Sequence, residues 1–209
     1  MRAGLTEEKP MKIFTALPAI IATVAALGAD AANAPIEFTP GSNMRAYRQV
    51  LIAPARVEFD PGFLGEIKSL RGQAHRLSPA EVERLRHEMG ESFHKALAEA
   101  FESRGFMIAT APGSQVLEIT PALKDLYLNA PESARDPMVR SYAREAGRAR
   151  MSVEGSDASG ARVLVASEQA TAGHALEFRP ASGVSNRFWF DAMFRQWAGE
   201  LAEAVAGAR

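Results

Sequence analysis

The sequence of 209 residues contains no cysteine. Disulfide bonds, thiolate metal sites and thiol catalysis are therefore excluded. An excess of either charge is also missing, because 24 basic and 25 acidic residues leave a formal net charge of −1. A chain this close to neutral has no electrostatic basis for holding a phosphate backbone, so we expect no nucleic-acid partner.

Motifs of the common enzyme classes are missing as well. The sequence has no G-x-S-x-G nucleophile elbow, no phosphate-binding glycine loop and no G-x-G-x-x-G pattern after a strand. We therefore expect no cofactor, and a function without catalysis is favoured over an enzyme.

An uncharged apolar segment, residues 13–27, follows Met11 and Lys12 and precedes the small residues at 28–31. This is the order of a secretory signal: a positive start, an apolar centre and small residues at the cleavage site. The segment is shorter than the roughly 20 residues of a membrane-spanning helix. We predict a signal peptide over residues 1–31, with Met11 as an alternative start of translation. The other interpretation is a hydrophobic helix buried in the mature fold.

Two A-x-A sites compete for signal cleavage. Cleavage is predicted after Ala31, because a cut after Ala34 would place Pro35 beside the scissile bond. No cysteine follows the apolar segment, so we expect no lipid anchor, and its length predicts no stable membrane span. The mature protein is then periplasmic or secreted.

Two amphipathic helices are predicted. The first covers residues 79–104, with Ser78 as N-cap, Glu81 completing a capping box, and Gly105 and Phe106 forming a Schellman turn. Its apolar stripe is Val82, Leu85, Met89, Phe93, Leu97 and Phe101. The second begins near residue 185, and its apolar face is Phe190, Met193, Phe194, Trp197, Leu201 and Val205.

Apolar runs and alternating patterns predict the strands, over residues 47–57, 106–110, 115–128, 147–154 and 162–171. Pro54 should weaken pairing in the first strand, and Pro121 predicts an edge or a bulge in the third. The stretch G-S-D-A-S-G at residues 155–160 is typical of a hairpin connection.

These elements predict one α+β domain over residues 47–209, in the order β-α-β-β-β-β-α. The first two strands flank a long helix, which favours a parallel pair joined by a right-handed crossover. The later strands favour antiparallel hairpins, so the sheet is mixed. Each helix has one apolar face, which predicts two helices packed together on one face of the sheet. Residues 32–46, rich in Pro, Gly and Ser, are predicted to be a flexible arm.

Five arginines form the main candidate binding patch, at Arg135, Arg140, Arg144, Arg148 and Arg150. Guanidinium groups bind phosphates, anionic glycans or an acidic partner. The alternative is a solvated strand, since Glu132, Asp136 and Glu145 partly neutralise the patch.

A metal-binding or catalytic alternative rests on two other sets. His87, Glu91 and His94 are spaced i, i+4, i+7 on the first helix, although on an exposed ridge they more simply form a solvated face. Glu118 and Asp125 share one predicted strand and are the candidate carboxylate pair.

Phe188 and Trp189 lie off the apolar face of the second helix. They either anchor the start of that helix in the core or cover a hydrophobic partner surface.

A string of short motifs runs along residues 44–207: Tyr47-Arg-Gln-Val-Leu-Ile-Ala-Pro with Val57, Leu77-Ser78, Leu126-x-Leu128-Asn129-Ala130-Pro131, Arg140-Ser141-Tyr142 with Ala146-Gly147, Gly155-Ser156-Asp157-x-x-Gly160, Asn186, and Trp197-Ala198. This string resembles the bacterial domain-of-unknown-function 3313 family. The resemblance implies an exported envelope protein, and many members resemble lipoproteins. This chain has no lipid-acceptor cysteine. The resemblance implies no activity and no catalytic residues.

Together these observations predict a non-enzymatic binding or envelope-assembly module in the periplasm. Its expected partner is an envelope protein or a second copy of the chain, bound by the arginine segment 129–150 or by an exposed sheet edge. The alternative is a hydrolase, or a small-ligand or metal-binding protein that uses the helix histidines.

Overall fold

The computed structural model describes residues 33–69, 77–129, 141–143, 145–173, 179–181 and 183–209. In this part of the chain the helices are α1 (Pro61–Ser69), α2 (Pro79–Ser103) and α3 (Gly183–Gly207). The strands are β1 (Asn33–Phe38), β2 (Gln49–Ile52), β3 (Arg56–Phe59), β4 (Met107–Ile108), β5 (Val116–Leu128), β6 (Ser141–Ala143), β7 (Gly147–Ser156), β8 (Arg162–Ala172) and β9 (Arg179–Ala181).

The main sheet is mixed, with the strand order β1-β8-β7-β5-β2-β4 and with β3 beside β5 beyond the end of β2. β5 is parallel to β2 and β3 and antiparallel to β7. The parallel pairing of β2 with β4 across α2 and the antiparallel β7–β8 hairpin were both predicted and are confirmed. The α+β class and the mixed sheet are therefore confirmed. A separate two-stranded sheet of β6 and β9, which the sequence did not predict, is also present.

Proline divides the first predicted strand in two. β2 ends at Ile52 and β3 begins at Arg56, on either side of Pro54, which has no N–H to donate. The prediction that Pro121 lies at an edge or a bulge was wrong. Pro121 lies within β5, an interior strand, at the point where β5 faces the gap between β2 and β3. The bulge of β5 comes later, at Asp125, whose φ is 51°.

The ends of α2 form as predicted. The Ser78 side chain accepts a hydrogen bond from the backbone N–H of Glu81 (3.2 Å), and the Glu81 carboxylate accepts one from the N–H of Ser78 (2.7 Å). At the other end the N–H of Phe106 donates to the carbonyl of Phe101 (3.1 Å), and the two rings pack edge to face. Both termini are therefore satisfied by residues near in sequence.

The two long helices pack together on one face of the sheet, as predicted. Phe93 of α2 is fully buried, and its ring centroid lies 5.2 Å from that of Phe194 and 5.7 Å from that of Trp197, both on α3. Arg187 of α3 forms an ion pair with Glu88 of α2 at 2.6 Å. The core cluster also includes the inward-facing residues of β5, β7 and β8, such as Leu123, Met151 and Leu164.

Two expectations for irregular segments differ from the structure. The arm predicted over residues 32–46 contains β1, which pairs antiparallel with β8, and a 3-10 helix (Met44–Ala46) whose Met44 is buried. The segment after β3, for which no helix was predicted, contains α1, which begins where the Asp60 side chain accepts a hydrogen bond from the N–H of Gly62. Residues 31–209 form one compact unit. Within the described ranges, no helix has the combination of length and apolarity that a bilayer span requires.

Candidate functional site

A groove with a volume of about 380 Å³ runs between β8 and one side of α3 on the helix-bearing face. We call it the β8–α3 groove. It is lined by Met151, Glu168, Ala170, Thr171, Gly173, Trp189, Ala192, Met193, Gln196, Trp197 and Glu200. Concave surfaces of this size, mainly apolar with a few polar groups, are the usual form of a small-ligand site.

The sheet wall of the groove is built by the alternation of β8. Its inward-facing residues are Leu164, Ala166, Glu168, Ala170 and Ala172. The alanines fill little volume beneath α3, and Glu168 is the one ionisable residue in this apolar row. Glu168 is in register with Met151 of β7, which is fully buried. A carboxylate is therefore placed at the margin of the core.

The helix wall is a single ridge of α3. Trp189, Met193, Gln196 and Glu200 are spaced i, i+4, i+7, i+11 and so lie along one side of the helix. Trp197 lines the same groove from a position that is only 4% exposed. The chain contains two tryptophans, and both line the groove.

Trp189 is held by the end of β8. Gly173 follows that strand with a φ of 81°, and a β-carbon there would lie 3.2 Å from Cγ of Trp189. The ring of Phe188 meets Trp189 edge to face, with centroids 5.3 Å apart, and Phe188 is 58% exposed. Trp189 is therefore anchored against the fold, whereas Phe188 extends the aromatic surface into solvent; a partner surface for this pair stays a prediction.

The electrostatics of the groove are set by two carboxylates. Burial raises the pKa of Glu168 above its ordinary value, and the nearby charge of Glu200 raises this pKa further. Gln196 donates a hydrogen bond to Glu200 (3.2 Å). None of the ion pairs among the described residues involves Glu168 or Glu200.

The arginine patch is only partly within the described residues, because Arg135, Arg140 and Arg144 lie outside them. Arg148 pairs with Asp60 at 3.1 Å and lies over the ring of Tyr127. Partial burial opposes ionisation of Asp60, but the N–H of Gly62 and the guanidinium of Arg148 hold the pKa of Asp60 below its ordinary value. Arg148 thus has an intramolecular role.

Arg150 lies on the opposite face of the sheet from the helices, in a second groove of about 440 Å³. It pairs with Asp125 at 3.4 Å and donates to the side-chain oxygen of Gln169 at 3.2 Å. Lys124, Asp125, Arg150 and Glu154 line this second groove, so that its formal charges cancel. These residues therefore give the second groove no net formal charge.

The candidate carboxylate pair is not brought together. Glu118 and Asp125 are seven positions apart on β5, which separates them by roughly 23 Å along the strand. Carboxylates that act on one glycosidic bond are about 5–9.5 Å apart. The two residues therefore do not form one catalytic pair.

The histidine ridge is divided between solvent and the sheet. His87 and Glu91 are exposed on α2, whereas His94 is half-buried with Nε2 at 3.2 Å from the carbonyl oxygen of Ile52. This differs from the exposed ridge that the sequence predicted for all three. In the part of the chain that the structure describes, no three His, Asp or Glu residues are grouped as metal ligands.

The sheet edge offers little for strand addition. β1 and β4 lie at the two ends of the strand order, and the four-residue β3, paired with β5 alone among the described strands, is also an edge. β4 has two residues, and β1 contains Pro35 and a register shift between Ala34 and Glu37. Because Pro35 has no N–H and the shift interrupts the ladder, β1 is a poor template for a partner strand.

Comparison with known families agrees with the motif string. The family described as "Protein of unknown function (DUF3313)" matches residues 25–201. The chain belongs to this family. The DUF3313 resemblance seen in the residues is therefore confirmed, and the β8–α3 groove lies wholly within the matched part. No curated protein matches the sequence.

The groove was missed at the level of sequence, but two signals pointed to it. Glu168 interrupts the alternation of small apolar residues on β8, and Trp189 lies off the apolar face of α3. Each signal is local, and only the packing of α3 on β8 places them together.

Proposed function

We propose that this protein is an exported, non-enzymatic binding protein of the cell envelope, and that the β8–α3 groove is its binding surface. The observation that carries the proposal is the composition of the groove: both tryptophans, Met193 and two carboxylates line one concavity. An exposed aromatic residue, Phe188, continues this surface. Surfaces of this kind on a single chain mark binding sites.

Export is supported by the signal-like order of residues 11–31, and the position of β1 fits cleavage after Ala31. Cleavage after Ala31 would leave β1 whole. A cut after Ala34 would remove Asn33 and Ala34, which pair with Glu168 and Ser167. The first of these pairs involves the strand residue that carries the groove carboxylate, so the predicted cleavage site preserves the groove wall.

A binding role without catalysis is supported by the separation of the chemically competent residues. Glu118 and Asp125 are too far apart to act together, and His94 faces a backbone carbonyl. Among the described residues that line the groove, none is a histidine, serine or lysine.

Export is tested by fractionation of cells that produce the full chain, followed by N-terminal sequencing of the accumulated protein. We expect periplasmic or secreted protein that begins at Ala32. Protein that remains cytoplasmic with residues 13–27 attached would contradict the proposal.

Binding through the groove is tested by filling it. Ala192 is half-buried on α3 and lines the groove, whereas Ala80 is exposed on the first turn of α2. Both variants, Ala192→Trp and Ala80→Trp, are returned to a deletion strain, and growth is measured under detergent and osmotic stress. We expect Ala80→Trp to restore growth and Ala192→Trp to fail while its thermal unfolding remains cooperative. Restored growth with folded Ala192→Trp, or a deletion strain that grows normally, would refute this role.

A further inference from the structure

The formal charge of the β8–α3 groove is negative. Its described lining residues include Glu168 and Glu200, and none of these described residues is a lysine, arginine or histidine. The whole chain is almost neutral, with a net charge of −1, so this charge is a property of the groove and not of the overall composition.

Among the residues that the structure describes, no lysine, arginine or histidine forms an ion pair with Glu168 or Glu200. Burial raises the pKa of Glu168, and the charge of Glu200 raises it further, so the two carboxylates are close enough to repel each other. A cation placed between them would relieve this repulsion.

The remaining walls select against a hard metal ion. Ca²⁺ takes about 6–8 oxygen ligands and Mg²⁺ an octahedral set. The groove instead presents Trp189, Trp197 and Met193 next to the carboxylates. Indole rings attract ammonium groups through their negative faces and also bury alkyl chains.

We propose that the β8–α3 groove binds a small organic cation, an ammonium group on an apolar chain, with its charge between Glu168 and Glu200 and its chain against Trp189 and Met193. The volume of about 380 Å³ is at the lower end of the range for small-ligand sites. The inference rests on the proposed binding function and assigns the ligand class of the same groove.

Intrinsic fluorescence tests the proposal directly, because both tryptophans of the chain line the groove. The protein, purified from the cell fraction in which it accumulates, is titrated with 1,5-diaminopentane. The neutral analogue 1,5-pentanediol and calcium chloride serve as matched probes. We expect a saturable fluorescence change with the diamine that weakens as salt is added, and none with the diol or with calcium.

Two charge-removing variants make the test specific. Glu168→Gln removes a groove carboxylate with little change of shape, and Glu102→Gln removes the same charge from an exposed position on α2. We expect diamine affinity to fall at least tenfold in Glu168→Gln and to change less than twofold in Glu102→Gln. Equal binding of the diol, saturation by calcium, or unchanged affinity in Glu168→Gln would overturn the proposal.

A short lysine-containing peptide distinguishes a free amine from a polypeptide partner. Saturation by the peptide without saturation by the diamine would overturn the small-molecule assignment. The ligand class and the binding role can fail separately. If the diamine does not bind but Ala192→Trp still fails to restore growth, only the organic cation is rejected as the ligand. Growth restored by folded Ala192→Trp rejects the binding role itself.

Discussion

Cγ of Trp189 lies 3.2 Å from the point that a β-carbon on Gly173 would occupy. The indole ring thus packs on the bare backbone that ends β8. Since Trp189 is one wall of the β8–α3 groove, the absence of a side chain at Gly173 determines where that wall lies.

Gly173→Ala is expected to destabilise the protein and displace Trp189. Gly160 provides a matched control because both glycines have a φ of 81°, but nothing lies within 4 Å of a β-carbon at Gly160. A left-handed alanine costs about 1–2 kcal/mol at either site. Gly173→Ala should lose about 1–3 kcal/mol more through overpacking. Urea unfolding measures the difference, and tryptophan emission should shift in Gly173→Ala alone. Equal losses would show that the ring does not depend on Gly173.

Phe93→Ala is expected to cost about 3–5 kcal/mol of unfolding free energy, because it removes a fully buried ring from the contact between α2 and α3. Phe188→Ala deletes the same atoms from a residue that is 58% exposed. The control should change stability by about 0.5 kcal/mol or less. Chemical denaturation of both variants gives the comparison. A small loss in Phe93→Ala would mean that the two helices are not held by this cluster.

Glu168→Gln is expected to stabilise the fold near neutral pH while it weakens binding in the groove. The pKa of Glu168 is raised in the folded protein by burial and by Glu200, so its ionised form is disfavoured there. The loss of folding stability caused by the ionised Glu168 is absent below the ordinary glutamate pKa of 4.5. It appears as the pH rises through the pKa of Glu168 in the folded protein.

Thermal melts from pH 4 to pH 8 measure this effect. The melting temperature of Glu168→Gln should increasingly exceed that of the parent protein as the pH rises and then stay above it. Glu200→Gln removes only the second cause and should give a smaller gain. A variant that is less stable than the parent at pH 7 would show that Glu168 supports the fold.

Asp60→Asn is expected to flatten the loss of stability in acid. Partial burial is outweighed by the hydrogen bond from Gly62 and the contact with Arg148, which lower the pKa of Asp60. The stabilisation is present above the unfolded pKa near 3.8 and is lost as the pH falls through the folded value.

At neutral pH the cost of Asp60→Asn should be about 0.2–1 kcal/mol, the range for exposed ion pairs. Urea unfolding at pH 7 and pH 3 measures both ends of the effect. Arg148→Gln removes one of the causes and should reproduce part of it. An unchanged acid dependence in Asp60→Asn would contradict the assignment.

Local signals predicted the local structure of this protein well. Ser78 and Glu81 predicted the start of α2, and Gly105 and Phe106 predicted its end, because caps satisfy backbone groups within a few residues. Pro54 correctly marked the break between β2 and β3, because the loss of its backbone N–H is also a local effect. The prediction for Pro121 failed because an interior strand accepts a proline where the neighbouring strand is interrupted. That interruption, between β2 and β3, lies far away in sequence.

The candidate site was less predictable. The arginine set rested on proximity in sequence, and the structure commits Arg148 and Arg150 to carboxylates at Asp60 and Asp125. Glu168 was not among the predicted site residues, although it lies in the groove. A single carboxylate on an alternating strand has no meaning until its facing element is known.

By itself, the sequence determined the α+β class, the two amphipathic helices, the family and the exclusion of thiol chemistry, since these depend on composition and on contacts between near neighbours. Only the tertiary structure decided that β1 pairs with β8, that β5 lies at the centre of the sheet, and that α3 leaves a groove lined by both tryptophans. The physical reason is that strand order and helix docking maximise burial over the whole chain, and residues more than a hundred positions apart in sequence contribute to it.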